Sequence, residues 1–195
     1  MTFIKLGKSK DTELEDNEVV RRIVEENQQD LLEILYERYV NRIYRKCLTL
    51  TREASLAKDL THDIMVKVLL NLAKFKGNAN FSLWVNVIAY NYCMDYFRKQ
   101  KKKPISNYEV LPQSEALSDY AEIELRELKE LQLTELEEQF GHLRKEDQMI
   151  LLMRYQDGMS IKEMASLLGI KEGAVKMRLK RSRAQLSKRL KVKKS

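Results

Sequence analysis

Only two prolines occur in the 195 residues, and they stand together, at Pro104 and Pro112. Proline lacks an amide hydrogen and pushes the residue before it out of the helical region. Helices can therefore run anywhere in this chain except across that stretch. Glycine is almost as scarce, at six residues, while Leu, Glu and Lys are abundant. Strong helix formers with few breakers favour helices over a turn-rich β fold. Ser106, Asn107, Ser114 and Ser118 share the proline stretch, and three lysines, Lys101 to Lys103, close the block before it. Residues 104–120 thus read as a linker that could span about 55 Å when fully extended; a surface loop within one domain is the competing reading. The expected architecture is all-α: two small helical domains, 18–103 and 121–190, joined by an acidic linker, the second a helix-turn-helix.

Charge is distributed in blocks. The whole chain carries +7 with a pI near 9.3, which suits an acidic partner, either nucleic acid or an anionic membrane surface. From Glu109 to Glu138 ten acids face only Arg126 and Lys129, a net −8. From Lys171 to the end eleven bases face only Glu172, a net +10. Blocks of opposite sign mark surfaces for different partners, although an acidic helix is also often just a solvated face. Leu125, Leu128, Leu131 and Leu136 would give that segment an apolar stripe for a neighbouring helix.

The stretch Ser160 to Ile170 carries a helix start and a helix stop nine residues apart. Ser160 with Glu163 fits a capping box, and Gly169 supplies the left-handed residue that ends a helix. Ile161, Met164, Ala165 and Leu168 fall on one side of that helix. A second helix, beginning near Lys171, has an apolar seam at Val175, Leu179 and Leu186. Its other faces carry Lys171, Ala174, Lys176, Met177, Arg178, Lys180, Arg181 and Arg183. One apolar seam and a basic outer face match a recognition helix in the DNA major groove, with flanking bases on phosphates. A basic amphipathic helix that merely packs and stays solvated is the plainer alternative.

In the first block, Leu31, Leu32, Leu35 and Tyr39 recur at helical spacing, as do Leu60, Ile64, Val68 and Leu72. Gly77 then breaks the pattern, and a further helix runs from about Ser82, a candidate N-cap, to Lys99. Seven of the fifteen aromatics lie between Phe75 and Phe97, followed at once by Arg98, Lys99 and Lys101 to Lys103. Trp84, Ile88, Tyr92 and Tyr96 share one side, expected to be core, which leaves Asn86, Tyr90 and Asn91 off that seam. Aromatic surface beside a basic cluster suits unstacked bases on a charged backbone.

Together, in this order, these segments resemble the extracytoplasmic-function (group IV) sigma factors of the sigma-70 family, over about residues 18–190. Ala57-Lys58-Asp59-Leu60-Thr61-His62-Asp63 resembles the family's polymerase-binding helix. The resemblance implies that Asp59, His62 and Asp63 contact the β′ clamp helices of core RNA polymerase. Phe75-Lys76-Gly77-Asn78-Ala79-Asn80-Phe81 resembles the loop that captures a flipped −10 base, and Trp84 to Asn91 the helix after it. Lys76, Gly77, Asn78, Ala79, Asn80, Asn86, Tyr90, Asn91 and Arg98 are then the single-strand contacts. Asn86 stands where an aromatic is common and Val87 where an Arg is common, departures that bear on the promoter sequence. In the second block, Tyr155-Gln156-Asp157-Gly158-Met159-Ser160 through Arg178-Leu179 is similar to the family's −35 reader, with Ala174 for a frequent Thr and Met177 for a frequent Ser. The implied partners are core polymerase, including its β flap, duplex and single-stranded promoter DNA, and an anti-sigma factor.

No enzyme constellation emerges: no phosphate-binding glycine loop, no supported nucleophile-base arrangement and no cofactor motif. Cys47 and Cys93 are the only cysteines, and they and the two histidines, His62 and His142, have no metal-ligand spacing. Met1 to Lys10 lacks the apolar core of a signal peptide, and no apolar run can span a bilayer, so a cytoplasmic protein is expected. A DNA-binding regulator that never docks on polymerase, or an enzyme with a helix-turn-helix appendage, are the rival functions.

Overall fold

The computed structural model describes residues 14–77, 80–100 and 134–192, with residues 191 and 192 described by backbone alone. Every regular element among them is helical. The chain divides into two compact units, one of residues 1–48 and 54–96 and the other of 49–53 and 97–195. The expected linker, 104–120, and the leucine stripe from Leu125 to Leu131 lie outside the described residues.

The first unit holds α1 (Asp16–Glu25), α2 (Leu32–Thr51, continuing into the second unit), α3 (Ala54–Leu70) and most of α4 (Phe81–Gln100). Each contributes a stripe at helical spacing to one core. Val19, Val20 and Ile23 come from α1, and Leu35, Tyr39, Ile43 and Cys47 from α2. Leu60, Ile64 and Val68 come from α3, and Phe81, Val85, Ala89 and Cys93 from α4. The start of α1 is pinned by polar contacts. Asp16 accepts bonds from Tyr39 Oη and from Arg38 Nη1, the latter at 2.6 Å, and Asn17 Oδ1 accepts from the Phe81 amide at 3.0 Å.

Those contacts matter because they fix the beginning of α4. Phe81 is fully buried and meets three rings: Tyr39 at 5.4 Å, Phe75 at 5.2 Å and Trp84 at 5.5 Å between centroids. Such edge and stacked pairs contribute about 0.5–1.5 kcal/mol each beyond area burial. The loop between Phe75 and Phe81 is thus clamped at both ends by one aromatic cluster. Gly77 sits between them at φ +69°, a conformation only glycine adopts without strain.

The second unit contains a helix over 134–141, α5, then α6 (Lys145–Leu151), α7 (Ile161–Leu168) and α8 (Glu172–Val192). α6 runs on into a π-helical turn, Leu152–Gln156. Met149, Ile150, Met153, Met159, Met164, Val175 and Leu179 form its core. Gln148 is fully buried, and its Nε2 donates to the carbonyls of Gly141 and Leu143 at 2.9 and 2.8 Å. That amide satisfies the last carbonyl of α5, which helix geometry leaves without a partner, and one in the turn that follows it.

Candidate nucleic-acid and polymerase interfaces

The turn between α7 and α8 is built as its residues dictate. Ser160 Oγ accepts from the Glu163 amide at 3.2 Å, and Glu163 Oε2 accepts from the Ser160 amide at 2.7 Å, closing the capping box. Gly169 ends α7 at φ 63°, ψ 33°, and the Ile170 amide then donates to the Ala165 carbonyl at 3.1 Å. Met164 and Ala165 of α7 are buried; Ile161 and Leu168, expected beside them, are half-buried.

α8 presents its basic residues outward. Lys171, just before it, and Ala174, Lys176, Met177, Arg178, Lys180, Arg181 and Arg183 on it are all exposed, while Val175 and Leu179 are buried. Met177, at 58% exposure, is a large apolar side chain standing among cations. The buried seam has a member that the apolar pattern missed: Ser182, fully buried, donates its hydroxyl to Asp147 Oδ1 at 2.7 Å. Asp147 is itself 5% exposed and takes a second bond from Arg144 Nε at 2.9 Å. One buried carboxylate therefore sets the rotation of α8, with Arg181 and Arg183 flanking the serine. The only signal in the sequence was spacing, since Ser182 falls three residues after Leu179 and four before Leu186. On α8's flank, Arg183 Nη1 donates to Tyr155 Oη at 3.4 Å.

In the first unit α3 turns Asp59, His62 and Asp63 to solvent, opposite the buried Leu60 and Ile64. Val66 and Leu70, at 41% and 79% exposure, continue that outer face. Asp63 Oδ2 accepts a hydrogen bond from Tyr92 Oη of α4 at 2.7 Å. The carboxylate raises the Tyr92 phenol to about 12, with burial adding to it.

Lys76, Gly77 and Asn80 are exposed on the loop before α4; Asn78 and Ala79 lie outside the described residues. The cap of α4 differs from the expectation. Asn80, not Ser82, begins the helix: its Oδ1 accepts from the Ser82 amide at 2.8 Å and its carbonyl from the Leu83 amide at 3.0 Å. The Ser82 hydroxyl instead accepts from Arg42 Nη1 at 2.7 Å.

Two single-strand candidates require correction. Asn86 is 3% exposed and Tyr90 is fully buried, so neither offers a surface to a base. Both close on Lys46, whose Nζ donates to Asn86 Oδ1 at 2.8 Å and stands 4.2 Å from the centroid of the Tyr90 ring. Lys46 is 1% exposed, a buried cation that the sequence reading missed. It lies three residues after the core Ile43, on the inward seam of α2. The expected seam of Trp84, Ile88, Tyr92 and Tyr96 is only half-buried, because α4 is rotated so that Phe81, Val85, Ala89, Tyr90 and Cys93 face the core. Small Ala89 and Cys93 permit close helix approach there. Asn91 and Arg98 remain exposed.

No cluster of metal-ligating side chains occurs among the described residues, and no described helix is long and apolar enough to cross a membrane. The outward face of α3 with Asp59, His62 and Asp63, a clamped glycine loop and a basic helix-turn-helix therefore make up the candidate surfaces. The family model for Sigma-70 region 2 matches residues 35–103, and that for Sigma-70, region 4 matches 133–186. The chain belongs to the sigma-70 family. Its relatives include two from Bacillus subtilis. The RNA polymerase sigma factor YlaC is 29% identical over 83% of this chain and 92% of its own length. The ECF RNA polymerase sigma factor SigW is 28% identical over 86% of this chain and 92% of its own. Among solved structures, the sigma factor RpoE of Bartonella quintana, in complex with the anti-sigma factor NepR, superposes with a TM-score of 0.63. That match is 19% identical and covers 84% of this chain and 98% of that one, a likeness of fold. The chain is an extracytoplasmic-function sigma factor, and it directs transcription initiation. The sigma-70 family is one of non-enzymatic transcription regulators.

Proposed function

We propose that this is a group IV sigma factor that acts in the cytoplasm through three surfaces. Asp59, His62 and Asp63 on α3 dock on the β′ clamp helices of core polymerase. Lys76, Gly77, Asn78, Ala79, Asn80, Asn91 and Arg98 hold the separated −10 strand, an acceptor set from which Asn86 and Tyr90 are removed by burial. Lys171, Ala174, Lys176, Met177, Arg178, Lys180, Arg181 and Arg183 read the −35 element in duplex DNA while the same domain rests on the β flap. In this reading the promoter-opening domain is 18–103, the connecting segment 104–120 and the −35 domain 121–190. An anti-sigma factor that sequesters the free protein is the partner expected to control it.

The observation that carries the reading is the division of labour along α8. All eight candidates, Lys171 just before it and seven from Ala174 to Arg183, are exposed, while Val175, Leu179 and Ser182 between them anchor the helix. A helix held so firmly presents cations and Met177 as a preorganised surface, and preorganisation lowers the ordering cost of binding. Each phosphate neutralised releases counterions, so affinity falls steeply with salt. Holoenzyme bound to a −35 duplex, measured by anisotropy, tests this. Arg178→Ala with Arg181→Ala should weaken binding and lower the slope of log affinity against log salt by about two if both contact phosphate. An unchanged affinity and slope would remove α8 from the interface.

A further inference from the structure

Asp63 and Lys67 stand four residues apart on α3, both exposed. An acid four residues before a base normally pairs with it on a helix surface. Here the carboxylate bonds Tyr92 instead, through Oδ2 at 2.7 Å. Lys67 Nζ lies over the ring of the same tyrosine, 5.6 Å from its centroid. One side chain from α4 thus takes the acid on its hydroxyl and the base on its face. With its phenol raised to about 12, Tyr92 remains a hydrogen-bond donor throughout any working pH range.

We infer that Tyr92 is a positioning residue for polymerase docking: it keeps Asp63 and Lys67 apart, so that the carboxylate offers Oδ1 to a cationic partner surface instead of being neutralised by its own neighbour. The inference rests on the assignment of Asp63 to the polymerase face. It names the chemistry of the partner, an arginine or lysine approaching α3 from solvent. It also ties the docking face to α4 at the position next to Asn91, so the polymerase surface and the promoter-strand helix share one hydrogen bond. Lys67 acts as an internal competitor that Tyr92 restrains through cation–π attraction.

The test is a double-mutant cycle on the full chain, read as affinity for core polymerase. Tyr92→Leu frees both partners to pair and should weaken docking about two- to fivefold, the range of an exposed ion pair. Lys67→Met in that background should restore affinity by more than it changes the wild type, because the competitor is gone. Tyr92→Phe, which keeps the ring over Lys67, should fall between wild type and Tyr92→Leu. Failure of Lys67→Met to restore the leucine variant would show a merely structural tyrosine and overturn the inference. So would wild-type affinity in Tyr92→Leu alongside a weakened Asp63→Ala. Should Asp63→Ala itself bind like wild type, the docking assignment falls first, and the role of Tyr92 with it.

Discussion

Ser182→Ala removes one hydroxyl from the seam of α8 and leaves a buried carboxylate short of a partner. Asp147 loses its 2.7 Å bond and keeps only Arg144. Hydrogen bonds to charged groups contribute about 1.5–3 kcal/mol, and an unsatisfied buried acceptor costs a similar amount. The atoms deleted are too few to leave a cavity of consequence, so the polar loss decides the outcome. The expectation is about 2 kcal/mol of destabilisation, confined to the second unit. The assay follows from where the tryptophan lies. Trp84, the only one in the chain, is in the first unit, so its fluorescence reports that unit alone. Amide hydrogen exchange in α6 and α8 reports the other. At about 1.4 kcal/mol per decade, a 2 kcal/mol loss speeds exchange through opening of that unit about thirtyfold. The Trp84 unfolding transition should stay in place. Unchanged exchange in α8, or a matching shift in the Trp84 transition, would refute the claim that this serine and carboxylate hold the helix.

Two further outcomes follow from the first unit. Gly77→Ala meets no atom within 4 Å, so its cost comes only from the +69° φ, about 1–2 kcal/mol; Trp84 fluorescence during urea unfolding should show it, and wild-type stability would mean that the loop relaxes freely. Glu18 is held at about 2, below its ordinary 4.5, by hydrogen bonds from Arg21 and Arg22. A lowered folded-state value means that its stabilisation is complete above pH 4.5 and is lost as pH falls through about 2. Glu18→Gln should therefore flatten the stability profile across that window, and an unaltered profile would show that the pairing contributes nothing.

The helix-turn-helix was legible because its signals are local. The capping box, the left-handed Gly169 and the 3.6-residue seam each follow from residues within one or two turns, and they agree with one another. α4 was legible as a helix but not in its rotation. It is apolar on almost every side, so periodicity left several faces equally plausible as core. The choice was made by partners distant in sequence, through the Lys46 bond to Asn86 and the Tyr39 contact with Phe81. Lys46 and Ser182 went unseen for a related reason. A polar residue on an inward seam can be accommodated only by a specific partner, and its partner lies 40 residues away in one case and 35 in the other. The misplaced cap of α4 is a smaller matter, since Asn80 and Ser82 are both good caps and only the hydrogen bonds distinguish them.

The central claim is that α3 presents a polymerase-docking face and that the chain works as a part of that enzyme. Binding to core RNA polymerase, followed by co-migration on gel filtration, tests it most directly, with the Asp59→Ala/Asp63→Ala variant alongside. The account predicts a stoichiometric complex for the wild type and its loss in the variant, whose folding circular dichroism should show to be intact. A folded wild-type chain that fails to bind, or a variant that binds as well as wild type, would contradict it.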